Sequence, residues 1–339
     1  MTPTGNYKVL QIHPTRRCNL RCLHCYSSSS PDEREELDAE LLLQAITDAS
    51  KEGYANVSFS GGEPILYQSL LELLDRAHQC QMRTAVVSNG MLLDERHLEK
   101  LEEAIDILAI SLDGMPASHN RMRGQEQAFE TMARRLESLR QSGIPFGFIF
   151  TLTKRNFREL DWVANFALEQ EAKLLQIHPL EEVGRAQQYL TGVKPNESIR
   201  AYAYLQAMRL QKTLGDRLYI QIDLVHQDFL RSNPSSFFAN EFLENNAELP
   251  FAEIISPLII EADGTVVPLQ HGFSRQYALG NLKNAPLREL SEWWRRKCYF
   301  SFLELCKQVY QEVTTPAELP ITDWYEAIAY HAESVGKVL

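Results

Sequence analysis

Three cysteines, Cys18, Cys22 and Cys25, stand within eight residues in the run Thr15-Arg16-Arg17-Cys18-Asn19-Leu20-Arg21-Cys22-Leu23-His24-Cys25-Tyr26. Spacings of four and three let one loop fold three thiolates onto three corners of an iron–sulfur cube. Most electron-transfer clusters are held by four cysteines, so a three-cysteine loop leaves one iron open to bind another molecule. That open iron is where the chemistry is expected. A zinc loop is a competing reading, but zinc wants a fourth ligand. The only local candidate, His24, adjoins Cys25 and could hardly close a tetrahedron. Inert buried thiols are a third reading. Disulfides are not expected from six cysteines without a secretory signal or a regular framework.

Further polar motifs follow in order along the chain. Ser60-Gly61-Gly62-Glu63-Pro64 follows the second predicted strand, and Ser88-Asn89-Gly90 closes the third. Ser111-Leu112-Asp113-Gly114, then His119 and Arg123-Gly124, follow the fourth. Gly61 and Gly62 let backbone approach a ligand and expose amides, while Glu63 offers an acceptor for an ammonium group. Ser88, Asn89, Ser111 and Asp113 are short polar groups suited to a ribose or a carboxylate. They suit turns equally, since Asn89-Gly90 and Asp113-Gly114 are strong turn pairs. Arg123 supplies a fixed fork that matches a carboxylate.

Cys-x3-Cys-x-aromatic-Cys followed by these motifs resembles the radical S-adenosylmethionine (radical SAM) enzymes over roughly residues 8–185. The resemblance implies one [4Fe-4S] cluster on Cys18, Cys22 and Cys25, with S-adenosylmethionine bound to the open iron through its amino and carboxylate groups. It assigns Glu63 to the ammonium, Gly61 and Gly62 to the same end of the cofactor, and Ser111 with Arg123 to the methionyl carboxylate. Ser88 and Asn89 fall on the ribose side. His24 takes the aromatic position near the adenine, which His178-Pro179-Leu180 and Gly184-Arg185 bracket. Asp113 suits substrate contact equally well. The implied reaction is one-electron cleavage of S-adenosylmethionine to methionine and a 5′-deoxyadenosyl radical, which abstracts a substrate hydrogen.

These motifs can meet only if the elements carrying them end together. Apolar patterning predicts strands at Val9 to His13, Asn56 to Ser60, Arg83 to Val87, Ile105 to Leu112, Phe146 to Leu152 and Leu174 to His178. Helices are predicted at Glu36 to Glu52 with Asp38 as N-cap, Ser69 to Cys80, Asp94 to Glu103, Phe129 to Ser142 and Arg158 to Glu169. Strands spaced by single helices imply right-handed parallel crossovers. Six such units are too few for a closed eight-stranded barrel, and the resemblance implies an α/β partial (β/α)6 barrel. Each motif falls at a strand's C-terminal end, where barrel loops gather at one mouth.

The C-terminal third reads as a β-hairpin, Ile259 to Pro268, with an Asp263-Gly264 turn. Leu279-Gly280-Asn281-Leu282 and a helix with Leu287, Leu290, Trp293 and Trp294 follow. This order resembles the SPASM extension of radical SAM maturases. The expected organisation is therefore a barrel over 1–185, a connecting segment over 186–245 and a smaller α+β SPASM-like domain over 246–339. That extension normally carries further clusters, with a cysteine just after the hairpin. Pro268, Leu269 and Gln270 stand there instead, and only Cys298 and Cys306 lie downstream. Two thiols cannot hold a four-iron cluster alone, so one cluster is expected in all. Cys298 and Cys306 are candidate hydrogen-atom donors to a substrate radical, against the ordinary role of cysteine as a small buried hydrophobe. That ordinary role is expected of Cys80, and His13 reads as a core residue.

At 339 residues the chain has ample core for both parts. It lacks an apolar run of about 18 residues and a signal-peptide pattern, so a cytoplasmic enzyme away from membranes is expected. A net charge of −11 argues against nucleic acid as a partner. Arg16, Arg17 and Arg21 form a local basic stretch, solvated or facing the cluster or an electron donor such as a reductase, flavodoxin or ferredoxin. The leading expectation is maturation of a ribosomally synthesised peptide. The chain starts about eight residues before its first strand, with no leader-recognition domain, so a separate leader-binding protein is expected. The alternatives are a radical enzyme on a small metabolite, such as a tetrapyrrole side chain or a sugar, and a non-enzymatic electron carrier or scaffold. A carrier needs no S-adenosylmethionine pocket. Epimerisation, cross-linking, decarboxylation, dehydrogenation and elimination all begin with the same abstraction.

Overall fold

The computed structural model describes residues 8–238 and 249–335. The N-terminal part alternates β1 (Val9–Ile12), α1 (Ala39–Lys51), β2 (Asn56–Phe59), α2 (Leu70–Gln79), β3 (Arg83–Ser88), α3 (Glu95–Leu101) and β4 (Ile107–Ser111). Next come α4 (Pro116–Arg123), α5 (Ala128–Ser142), β5 (Phe146–Leu152), α6 (Leu160–Glu169) and β6 (Leu174–Pro179). Local chemistry sets the helix ends. The Asp38 carboxylate accepts from the Glu40 amide to open α1, while Gly143 closes α5 in the left-handed region at φ 75°. Leu42, Leu43, Ile46 and Ala49 of α1 and Leu70, Leu73, Leu74 and Ala77 of α2 are buried under the sheet strands.

The six expected strands are present and parallel in the order β1-β2-β3-β4-β5-β6. A seventh continues the sheet. After α7 (Ala186–Tyr189) and α8 (Glu197–Leu214), β7 (Tyr219–Ile222) pairs parallel with β6. α4 is a further addition: the segment carrying His119 and Arg123 is a helix, begun by Pro116 and closed by Gly124 at φ 65°. Cys80 caps α2 and is half-buried rather than lying within the helix.

The remaining elements are β8 (Val225–His226), α9 (Gln227–Ser232), α10 (Phe251–Ile254), β9 (Leu258–Ile260), β10 (Thr265–Pro268) and β11 (Gly280–Asn281). α11 (Leu287–Lys297), α12 (Tyr299–Val313), β12 (Ile321–Thr322) and α13 (Trp324–Val335) end the chain's described part. β9 and β10 form the predicted hairpin, and β9 pairs parallel with β1. The result is one open ten-stranded sheet running from β11 to β7. The hairpin is thus built onto the barrel's own sheet. The expected boundary between residues 245 and 246 lies outside the described residues.

One apolar core runs from Leu10 to Ala332 and joins both parts. Trp294 of α11 is fully buried, donates from Nε1 to the Tyr277 carbonyl at 2.8 Å and meets Phe251 edge-on. Truncating such a side chain to alanine costs about 3–5 kcal/mol. Arg295 beside it reaches Glu52 after α1 at 2.9 Å. Among the described residues no helix is long and apolar enough to cross a membrane.

Candidate active site

The cysteine loop leaves the C-terminal end of β1 and is held by its own backbone. The Cys18 amide donates to the Ser30 carbonyl at 3.1 Å, and the Leu23 amide donates to Met122 at the end of α4 at 2.9 Å. Cys18 and Cys22 are buried, Cys25 is half-buried, and Leu20 and Met91 pack among the three. Burial, then the Glu63 carboxylate, pushes the Cys18 thiol up to about 12. Burial also raises Cys22, against the pull of Arg123. Thiols so placed stay protonated until a metal takes them. Among the described residues no three His, Cys, Asp or Glu side chains gather as a single-ion site. A lone zinc therefore has no preformed ligand set. Thiols that each hold a different metal of a polynuclear group need no common point.

The Gly-Gly-Glu segment packs directly against this loop. The Gly62 amide donates to the Thr15 carbonyl and the Glu63 amide to the Arg17 carbonyl, both at 2.9 Å. A Cβ on Gly62 would lie 2.2 Å from the Arg17 oxygen, and one on Gly61, at φ +98°, would lie 2.8 Å from the His13 Cβ. What the two glycines admit here is the cysteine loop and β1. Glu63 is buried and accepts from the amides of Asn89 at 2.9 Å and Ile65 at 3.3 Å. Burial pushes its carboxyl up to about 7, with these amides and Ser88 opposing. The Ser88 hydroxyl also accepts from the Gly90 amide at 3.1 Å, and the Asn89 side chain donates to the Asn19 side chain at 2.7 Å. Glu63, Ser88 and Asn89 are thus brought together, tied to the cysteine loop through Asn19. Ser111 ends β4, half-buried.

A second buried group surrounds Cys22. Asp113 is fully buried, and its Oδ2 lies 2.7 Å from the Arg123 Nε, in an ion pair whose N–H does not point at the oxygen. Arg123 Nη1 donates to the Cys22 sulfur at 3.8 Å. His24 Nε2 lies 3.9 Å from the same Asp113 oxygen, and His119 Nδ1 accepts from the Asp113 amide at 3.2 Å. Burial would raise the Asp113 carboxyl, but Arg123, His24 and His119 together hold it below its ordinary value. Burial lowers His24 to about 4 and His119 to about 3, so both imidazoles are neutral at pH 7. Asp113 Oδ2, Arg123 Nε and His24 Nδ1 are buried without a hydrogen-bond partner. Buried polar groups are nearly always paired, so this concentration of three beside one cysteine fits a polar cofactor bound there.

The end of β6 closes the other side. The Arg185 guanidinium donates to the carbonyls of Cys22 at 2.8 Å and Ser29 at 2.6 Å, and its amide donates to Cys25 at 3.0 Å. A Cβ on Gly184 would lie 2.2 Å from the Tyr26 carbonyl oxygen. His178 is ion-paired with Asp223, just past β7. Burial would lower His178, but Asp223 outweighs it and the imidazole is raised. Glu181 and Asp323 join this group, and burial, then neighbouring carboxylates, pushes each up to about 7. Lys194 and Arg200 are both paired to Glu326. Burial raises the Tyr26 hydroxyl, and the Glu181 carboxylate adds a smaller part to that rise. Asp223 and Asp323 carry no motif, and only Glu181, next to His178-Pro179-Leu180, could have hinted at them.

His13 is buried as expected, yet it lies on the wall of the site. Its Nε2 is 2.8 Å from the Gln11 side chain and 3.4 Å from the Tyr26 hydroxyl, and its ring stacks on His271 at 5.2 Å. His271 follows the hairpin, one residue beyond Gln270. Cys298 and Cys306 are buried in the main apolar core, apart from the group around Cys18 and Cys22. Burial raises both thiols. The structure does not bring them to the cysteine loop.

The Radical SAM superfamily profile matches residues 12–167. The chain is 29% identical over 293 residues to the Fe-coproporphyrin III synthase of Methanosarcina barkeri, covering 83% of this chain and 73% of that protein. It is 27% identical over 258 residues to the sporulation killing factor maturation protein SkfB of Bacillus subtilis, covering 76% of this chain and 58% of that protein. Its fold is similar to that of Streptococcus suis SuiB solved with S-adenosylmethionine. The TM-score is 0.66 at 18% identity, over 86% of this chain and 67% of SuiB.

Proposed function

Because this chain belongs to the radical SAM superfamily, an enzyme class that uses a [4Fe-4S] cluster and S-adenosylmethionine, we propose that it matures a ribosomally synthesised peptide. Cys18, Cys22 and Cys25 hold the cluster in this reading, and the buried Arg123, Asp113 and His24 beside Cys22 would line the cofactor's pocket. When bound, cluster and cofactor together supply a 5′-deoxyadenosyl radical after one electron enters. The chain's own part is to hold, orient and dry that site. Arg185 clamps the loop carrying the thiols, Gly62 lets the second-strand loop close on it, and Leu20 and Met91 exclude water. The neutral imidazoles of His24 and His119 line the pocket without adding charge.

The observation that carries the substrate class is the acidic wall of Glu181, Asp223 and Asp323 beyond β6 and β7. An arriving cation would draw the shared protons off these carboxyls and pair with them, whereas a further carboxylate would find no free cation among them. The wall therefore suits a peptide with a cationic side chain better than a small molecule bearing several carboxylates. A second reading, a small tetrapyrrole substrate, is favoured by the likeness to Fe-coproporphyrin III synthase. An electron donor belongs to both readings, and a separate leader-binding protein to the peptide reading alone. The test is anaerobic reconstitution with reductant and S-adenosylmethionine, followed by 5′-deoxyadenosine assay. Short peptides encoded beside the gene should raise its yield and change mass. A response to one of a panel of carboxylate-bearing tetrapyrroles and to no such peptide would replace the first reading by the second.

A further inference from the structure

We propose that Asp113 is a positioning residue for Arg123, and that the guanidinium it holds against Cys22 sets how readily the cluster accepts an electron. The inference rests on reading Cys18, Cys22 and Cys25 as the cluster's ligands.

Asp113 is fixed from several sides. Its amide donates to His119 Nδ1 at 3.2 Å, its carbonyl accepts from Asn156 Nδ2 at 3.0 Å, and its Oδ1 accepts from the Thr151 amide at 3.4 Å. A turn before a helix needs none of this. The fixed carboxylate leaves Oδ2 facing the Arg123 Nε at 2.7 Å. Arg123 is anchored at its own end, because α4 stops at Gly124, where a Cβ would lie 3.0 Å from the Arg21 carbonyl oxygen. Between these two restraints the guanidinium presents Nη1 to the Cys22 sulfur at 3.8 Å and keeps Nη2 for another acceptor. Arg123 is only 7% exposed, so solvent screens its charge little.

A hydrogen bond and a positive charge at a ligand sulfur stabilise the more negative, reduced form of a cluster and raise its potential. Asp113 has two possible effects of opposite sign. As a bare negative charge it lowers the potential, and as the holder of Arg123 it raises it. The geometry assigns the second effect the larger weight, since Arg123 lies between the carboxylate and the sulfur.

The experiment is an anaerobic redox titration of the reconstituted chain without S-adenosylmethionine, read by visible absorbance and electron paramagnetic resonance. At the wild-type midpoint, Arg123→Gln should lower the ratio of reduced to oxidised cluster about tenfold, which is 59 mV for one electron. Arg123→Lys should fall between. Asp113→Asn should also lower the ratio although it removes a negative charge, and adding it to Arg123→Gln should lower it no further. A rise in Asp113→Asn, or a double variant equal to the sum of the singles, would overturn the proposal. If Asp113→Asn fails to load iron, Asp113→Glu decides: it keeps the charge but shifts the carboxylate, so a wild-type ratio there also overturns it. A wild-type chain that takes up no iron, or a Cys22→Ala chain with an undisturbed cluster, would instead sink the ligand reading.

Discussion

Glu63 accepts a 2.9 Å hydrogen bond from the backbone amide of Asn89, joining the loop after β2 to the loop after β3 behind the cysteines. The same carboxylate caps the turn at Ile65 and is 1% exposed. It is therefore a structural acceptor before any ligand arrives. Glu63→Ala should lower the stability of the cofactor-free chain by about 1–3 kcal/mol, because buried amides lose their partner. Urea denaturation monitored by circular dichroism measures this. A midpoint unchanged from wild type would show that the carboxylate is held only for the cofactor. In the loaded enzyme the same variant should weaken S-adenosylmethionine binding.

Gly62→Ala should break cluster assembly. The added methyl would meet the Arg17 carbonyl at 2.2 Å, and that oxygen belongs to the backbone directly before Cys18. Overpacking of this kind costs about 1–3 kcal/mol, and here it displaces the ligand loop. Iron per chain after reconstitution should fall well below the roughly four expected for one cube. Gly143→Ala is the control: it strains the left-handed stop of α5 at φ 75°, but nothing lies within 4 Å of its Cβ position, so it costs stability without pushing on the cysteine loop. Equal iron contents in the two variants would contradict the close-approach argument.

The acidic wall should make stability depend on pH. Glu181 and Asp323 titrate near 7 in the folded chain, whereas free carboxyls titrate near 4. His178 is raised by Asp223. Each of these groups binds more protons folded than unfolded, so their contribution is full below about pH 4 and is lost as pH rises through about 7. The cofactor-free chain should lose on the order of 3 kcal/mol between pH 5 and 8 from this cluster, titrating as one unit. Asp323→Asn should flatten the profile while still accepting from the Glu326 amide. A wild-type profile that rises over this range would refute the assignment.

Cys298 and Cys306 should behave as packing residues. Alanine at either position should leave 5′-deoxyadenosine formation and substrate turnover intact, and no solvent deuterium should enter the product through a thiol. Cys306→Ser should cost about 1–3 kcal/mol, because a buried hydroxyl there lacks an apolar site's preference and a partner. Loss of product with continued cofactor cleavage in Cys306→Ala would restore the hydrogen-donor role.

Features written in short stretches of sequence were legible. The Asp38 cap, the Gly143 stop, the six strands and the motifs at their C-terminal ends all depend on neighbours a few residues away. α4 was available too, from Pro116 at its start and Gly124 at its end, but its residues read first as a polar signature. Long-range pairings were not legible. β7 joins β6 across a long helix, and nothing near Asp223 or Asp323 indicates that they will face His178. The Arg123–Cys22 contact is of the same kind, made between elements whose separation only the fold removes.

The pairing of Leu10 with Leu258 in β1 and β9 has a consequence for biosynthesis. The strand that launches the cysteine loop leaves the ribosome long before β9, the segment that closes one of its two edges. Until then β1 exposes an unpaired edge, and the His13 amide lacks its acceptor on Ile260. Nascent chains interrupted before residue 258 would present the three thiols on an unfinished scaffold, open to oxidation and to the wrong metals. Faithful loading with iron and sulfide thus waits for β9 to emerge and pair with β1.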